Sequence, residues 1–397
     1  MFWIHGGGFE AGSSQELPAY DGENLARRGD VVIVSVNHRL GPFGFLAAAG
    51  GGGNAGMMDI VLALEWVRDN IAAFGGDAGN VTVFGQSGGG AKTNTLMAMP
   101  SARGLFHKAI VQSGSQLRLA SPERSVEVTA AVLKEAGVAA EGLVDLSPNQ
   151  LVAIGAAAAR TLRKTPRPSG GSWEGAVWQP TCDGDLIPHH PGDAAALAMS
   201  AHIPVLVGST FHESSPSIGN FKLEQMDTAG LREFVARMHK ERADAVIAAF
   251  ERGHPGVKPV EIAALIQSTH WMRVNAVRQA ELKGGAGGAP AFLYWFGWKT
   301  PVLDGRPRAF HCSELAFCFD NIDRCLNHTG GGEEARMLAG KMADAWIAFA
   351  RTGDPNHKGL PAWPAVKPGS LPTMIFDTEC AVRDNPDREE RAALAAN

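Results

Sequence analysis

A serine set between glycines on a sharp turn is a candidate nucleophile for acyl transfer, and Gly85-Gln86-Ser87-Gly88-Gly89-Gly90 presents one. The G-x-S-x-G spacing holds such a serine at the junction of a strand and a helix, with its Oγ thrust outward. Glycines on either side admit neighbouring backbone where a Cβ would clash. Two other readings compete. Gly85 to Gly90 followed by Lys92-Thr93 nearly spells a phosphate-binding loop, but Ala91 separates the glycines from the lysine and the register fails by one residue. An ordinary packing turn is the other. The pentapeptide alone does not decide; its partners must.

The elements that would position this turn can be read around it. Asn80 to Phe84 is a short β-branched and aromatic run that predicts a buried strand, and Ala91 to Met99 can be helical until Pro100 stops it. Phe2 to His5 predicts a strand terminus running into the loop Gly6-Gly7-Gly8-Phe9. Val31 to Val36 is a continuous apolar strand of the kind buried on both faces of a sheet. Asp59 to Phe74 has helical spacing, with Ile60, Leu62, Leu64, Trp66, Val67 and Ile71 available to cover the sheet. Further strands are expected at Lys108–Gln112, 203–208, 291–298 and 373–376. Helices are expected after the capping serines Ser121 and Ser147, over about 227–250, 260–283 and 333–350. Gly50 to Gly53 and Pro166 to Gly175 are expected to be loops, the second one over a site. Strands alternating with helices imply a mainly parallel central sheet with helices on both faces.

Bulk properties narrow the function. The chain has 397 residues, 45% of them hydrophobic, enough to bury a large core. It is expected to form one domain over 1–397, with cap-like helical insertions around 115–175 and 215–290. A net charge of −5, a pI near 6.2 and no basic run argue against nucleic acid or a membrane surface as partner. Five cysteines without a C-x-x-C pair suggest free thiols in a reducing compartment, so a cytoplasmic location is expected. No apolar run is long enough to cross a membrane. His311, Cys312, Cys318, Cys325 and His328 are too irregularly spaced for a zinc site, so neither metal nor organic cofactor is expected.

Serine acyl transfer needs a base, a group that orients the base, and N–H donors for the oxyanion. Ser87, Glu213 and His311 follow the chain order nucleophile, acid, histidine found in α/β-hydrolases, each just beyond a predicted strand. His5-Gly6-Gly7-Gly8 supplies a glycine loop of the HGGG type. Asp183 and Asp185 stand as alternative acids and His270 as an alternative base. Phe9, Phe43, Phe211, Trp271 and Phe317 are candidates to line an apolar pocket, or simply core.

These segments resemble the type B carboxylesterases, the family of bacterial p-nitrobenzyl esterases and cholinesterases. The likeness is densest at Trp3–Phe9, Val36–Gly41, Phe74–Gly90, Phe106–Gly114 and Ala309–Leu315. It implies an α/β-hydrolase fold with a helical cap and hydrolysis of small-molecule esters. It makes Ser87 the nucleophile, Glu213 the acid, His311 the base, and the N–H groups of Gly7, Gly8 and Gly88 the oxyanion donors. A non-catalytic binding protein on the same fold, or an inactive shortened esterase, is the alternative. The chain departs from the family pattern at Gln86 (usually Glu), Gly88 (usually Ala) and Ser214 (usually Gly). A segment that family members carry ahead of the glycine loop is not seen here. Without it the strand at Phe2 is expected to become an exposed edge, and with Gln86 neutral the attraction for a cationic alcohol is expected to weaken.

Overall fold

The computed structural model describes residues 1–47, 52–163 and 175–395. Most of the two expected loops, 50–53 and 166–175, therefore lies outside the described residues. The chain divides into two compact units of interleaved segments. The first comprises Met1–Glu16, Val32–Pro204 and Ala286–Ala289; the second comprises Leu17–Val31, Val205–Gly285 and Pro290–Asn397.

In the first unit, β1 (Phe2–Ile4), β2 (Val34–Val36), β3 (Thr82–Gln86) and β4 (Lys108–Gln112) run in the order β2-β1-β3-β4, all parallel. Parallel strands need crossover connections, and the helix Ala55–Asn70 lies in the one that carries the chain from β2 past β1 to β3. Its buried positions, Met57, Ile60, Val61, Leu64 and Val67, fall on one helical stripe. Leu62 and Trp66 lie on the other face, 65% and 48% exposed, and do not cover the sheet. The strand at Phe2 is not an edge either, because β1 is bonded on one side to β2 and on the other to β3.

The expected six-residue strand over 31–36 shortens to three half-exposed residues. Asp30 turns left-handed (φ 45°) and caps the helix Glu23–Gly29, so Val31 closes that helix by donating to Ala26 instead of extending the strand. Ser121 caps Pro122–Ala136 through the N–H of Arg124. Ser147 and Gln150 exchange the two bonds of a capping box at the start of Pro148–Arg163.

The second unit orders β5 (Val205–Thr210), β6 (Ala291–Phe296), β7 (Pro372–Phe376) and β8 (Ala381–Asp384) as β5-β6-β7-β8, with β8 antiparallel to β7. The first long helical pattern breaks at Lys240 (φ 47°) into Thr228–His239 and Ala243–Gly253. The second is Pro259–Ser268 and Val274–Gly285, joined by a π-helical turn, Thr269–Arg273. Leu231, Val235, Val246, Phe250, Ile262 and Ile266 gather into one hydrophobic cluster with Leu394 of the C-terminal helix Arg388–Ala395.

The π-turn also aims Arg273 at Asp387, a pair 1% exposed on both sides, with Nε–Oδ2 at 3.0 Å and Nη2–Oδ1 at 3.1 Å. Burial pushes the Asp387 carboxyl up, but Arg273 outweighs it and holds the group below its ordinary value. Asp387→Ala strands a buried guanidinium and is expected to cost about 3–5 kcal/mol in urea unfolding. The double variant Arg273→Met/Asp387→Leu is expected to lose far less, because neither buried charge remains.

Candidate active site

The first unit carries the serine. Ser87 sits between β3 and the helix Gly88–Leu96 at φ 57°, ψ −122°, a conformation that costs a non-glycine residue about 1–3 kcal/mol. The surroundings enforce it: the Ser87 N–H donates to the Gln112 carbonyl at 2.8 Å, and the Ala91 N–H donates to the Ser87 carbonyl at 2.9 Å. β3 runs two residues further than expected, through Gln86, because its pairing with β4 continues to Gln86–Gln112. The helix begins at Gly88 rather than Ala91. Three glycines make a poor first turn by propensity, but a Cβ on Gly89 would lie 1.9 Å from the Ile4 carbonyl oxygen. The close approach of helix to β1 decides the residue type here.

The glycine loop lies against this elbow. Gly7 and Gly8 have φ of 82° and 63°, and the Gly7 carbonyl accepts from Glu10 and Ala11 at 3.3 and 3.1 Å, folding the loop into a turn. A Cβ built on Gly6 would meet the Ser87 Cβ at 3.5 Å, and one on Gly88 would meet the Gly8 oxygen at 2.1 Å. Gly88, the first residue of its helix, has an N–H with no intrahelical acceptor, at the positive end of the helix dipole. Beneath the loop, His5 stacks on His38 with centroids 4.8 Å apart. Burial first, and then nearby Lys92, lower both imidazoles, to about 4 and about 3, so both are neutral near pH 7. Lys92 itself is fully buried. Its Nζ donates to the Gly8 carbonyl at 2.7 Å and lies 5.3 Å from the Phe9 ring centre, so it turns toward the loop backbone.

The second unit carries the acid and the histidine. Glu213 follows β5; its Oε1 accepts from the Thr210 N–H at 2.8 Å, and its Oε2 lies 2.5 Å from His311 Nδ1. The pair is 98 residues apart in sequence. His212 N–H donates to the Ala309 carbonyl and Ala309 N–H donates to His212 Nδ1, which ties the segment before His311 to the one before Glu213. His212 Nε2 in turn lies 3.3 Å from Glu261 Oε1, and Arg308 reaches Glu261 and Glu224. The imidazole of His311 is raised well above its usual value: burial opposes its charge, but the Cys312 sulfur and the Glu213 carboxylate outweigh burial. Trp271, from the π-turn, is 36% exposed and its ring centre lies 5.7 Å from that of His311. Ser214, where a glycine was expected, donates its N–H to Ser268 Oγ and its hydroxyl to Gln267 Oε1.

The alternatives are engaged elsewhere. Asp183 accepts from Asn54, which precedes the helix Ala55–Asn70, and from the N–H groups of Asp185 and Ile187 in its own loop, all in the first unit. His270 faces the His239 ring at 5.5 Å. Phe9 and Phe317 are core, and Phe211 packs on Trp295. Sequence reasoning named Lys92 only as part of a failed phosphate motif, and it missed the Glu261–Arg308 network. No group of three or more metal-ligating side chains exists among the described residues. No helix among them is long and apolar enough to cross a membrane.

Comparison with known proteins shows the family. The profile of the Carboxylesterase family matches residues 1–394. The para-nitrobenzyl esterase of Bacillus subtilis is 35% identical over 99% of this chain and 78% of its own. The phenmedipham hydrolase of Pseudarthrobacter oxydans is 33% identical over 96% of this chain and 76% of its own. Among solved structures, a carboxylesterase of Geobacillus stearothermophilus superposes with a TM-score of 0.81 at 33% identity, covering 99% of this chain and 81% of that one. An esterase of Clostridium hathewayi, described as hydrolysing aliphatic aromatic polyesters, matches with a TM-score of 0.78 at 35% identity, over 99% and 78%.

Proposed function

This chain belongs to the carboxylesterase family and is a carboxylic-ester hydrolase of the α/β-hydrolase fold, and we propose that it cleaves small-molecule esters through an acyl-enzyme on Ser87. Ser87 Oγ attacks the ester carbonyl while His311 takes its proton. The Glu213 carboxylate, bonded to His311 Nδ1, holds the imidazole in the tautomer with Nε2 unprotonated and able to accept, and supports the imidazolium once formed. The N–H groups of Gly7, Gly8 and Gly88 receive the tetrahedral oxyanion, each such donor being worth about 3 kcal/mol in the transition state. His311 then protonates the leaving alcohol, and water activated by the same histidine releases the acid. All the required groups come from the chain itself.

The observation that carries this reading is the 2.5 Å contact of Glu213 with His311. It favours Glu213 over Asp183 and Asp185, and His311 over His270, and it keeps the nucleophile–acid–histidine order. The partly exposed Trp271 beside His311 offers an apolar face to the substrate, which favours esters of aryl or apolar groups. Mixing the protein with p-nitrophenyl acetate is expected to give a burst of about one p-nitrophenolate per chain before the slower steady state. A fluorophosphonate is expected to add its mass to the peptide containing Ser87. Labelling that maps elsewhere would sink the assignment.

A further inference from the structure

We infer that Lys92 is a positioning residue for the oxyanion loop: its buried ammonium holds the Gly8–Phe9 peptide down over Gly88. This rests on the reading of Gly7, Gly8 and Gly88 as oxyanion donors. A charged side chain fully buried in a helix otherwise made of small and uncharged residues is costly unless its charge is used. Here the ammonium reaches across to the glycine loop. Nζ donates to the Gly8 carbonyl at 2.7 Å and lies 3.4 Å from the His5 carbonyl, so it grips the loop on both sides of Gly6 and Gly7. The third contact is with the Phe9 ring, 5.3 Å from Nζ.

Two residues that set this chain apart become connected. The Gly8 carbonyl is drawn so close to the serine helix that any side chain at position 88 would collide with it, a Cβ there standing 2.1 Å from the oxygen. Glycine at 88 is therefore the counterpart of lysine at 92. The residue before the serine, Gln86, is neutral and fully buried, so no carboxylate on the elbow itself offsets the cation. Loops of three glycines have many conformations to lose. A charge-assisted bond at each end fixes one of them before substrate arrives, and preorganised donors of this kind give oxyanion stabilisation its strength.

The electrostatic setting gives the role a pH signature. Burial brings the Lys92 ammonium down to about 7, with Glu16 acting the other way. The imidazoles that face it, His5 from the loop after β1 and His38 from the segment after β2, are neutral in that range. Raising the pH through about 7 therefore weakens the grip on the loop without changing its neighbours.

The test compares the parent with Lys92→Met and Lys92→Gln on p-nitrophenyl butyrate, alongside affinity for a trifluoromethyl ketone, whose serine adduct carries the oxyanion. Lys92→Met is expected to lower kcat about tenfold with KM within about twofold, and to weaken ketone binding by the same factor as kcat/KM. Lys92→Gln, which keeps one donor without the charge, is expected to fall between. The parent-to-Met ratio of kcat is expected to shrink from about pH 6 to about pH 9, a trend that lost packing alone would not produce. Should Lys92→Met fail to fold, Lys92→Gln and Gly88→Ala carry the test. Gly88→Ala must displace the Gly8 carbonyl, and it is expected to lower kcat and ketone affinity together. Unchanged kcat and ketone affinity in these variants, with Ser87→Ala inactive, would overturn the role of Lys92 and leave the esterase reading standing. An active Ser87→Ala would instead remove the reading beneath it.

Discussion

Ser87→Ala is expected to lower kcat for p-nitrophenyl butyrate by about 10⁵- to 10⁶-fold, and His311→Ala by a similar factor. In the proposed mechanism the two act as one unit, so the double variant is expected to be no worse than either alone; multiplicative losses would mean that they serve separate steps. Loss of activity is separable from loss of fold because of the backbone at position 87. Its φ of 57° and ψ of −122° strain any residue with a Cβ, and alanine keeps that strain. Ser87→Gly relieves it. That variant is expected to be as inactive as Ser87→Ala yet more stable than the parent by about 1 kcal/mol in urea unfolding, after the extra chain entropy of glycine is deducted. Stability rising as activity vanishes is the signature of a strained nucleophile. More than about 1% residual activity in Ser87→Ala, with no parent contamination, would end the argument for this serine.

How much of this was legible beforehand depended on the range of the interactions involved. Strand β4 was readable to the residue as Lys108–Gln112, because a compact β-branched run bounded by Ser113-Gly114 leaves few alternatives. The capping serines 121 and 147 marked their helices for the same local reason. Counting apolar residues without resolving the helical face makes Leu62 and Trp66 available to cover the sheet, although a 3.6-residue period sets them away from Ile60, Leu64 and Val67. Strand β8, Ala-Val-Arg-Asp, has only four residues and no alternation, so its pairing with β7 is a tertiary fact without a local sign. The start of the serine helix was misplaced because propensity disfavours Gly88, Gly89 and Gly90, whereas the approach of Ile4 to Gly89 requires glycine there.

The site divides along the same line. The elbow and the glycine loop are contiguous motifs, and Ser87 does lie between a strand and a helix, with Gly7 and Gly8 at positive φ. Glu213 was preferred to Asp183 and Asp185 through the family resemblance, and its contact with His311, 98 residues away, is a tertiary fact with no local sign. Lys92 carried no motif of its own. Its signal was that of a charge inside a helix with no exposed face, which is visible only once Gly88 to Leu96 are all seen to be buried.

Glu213→Gln is expected to lower kcat/KM by about 10³- to 10⁴-fold while barely changing the volume of the side chain. In the proposed mechanism the carboxylate accepts from His311 Nδ1–H and so reserves Nε2 as the proton acceptor. An amide can present its NH₂ to Nδ1 instead, and that favours the tautomer with the proton on Nε2, which is no base toward Ser87 Oγ. The pH profile separates this from a structural loss. Because the Glu213 carboxylate helps to raise the imidazole above its usual value, the parent is expected to lose activity as pH falls through that raised value, where His311 becomes protonated. Removing the carboxylate lowers the imidazole pKa, so the residual activity of Glu213→Gln is expected to persist to lower pH than that of the parent. Asp185→Asn is the control: Asp185 meets Asp183 only through its backbone N–H, and this variant is expected to stay within about threefold of the parent at every pH. If the acid limb stayed in place in Glu213→Gln but moved in Asp185→Asn, the orienting acid would have to be sought outside the second unit.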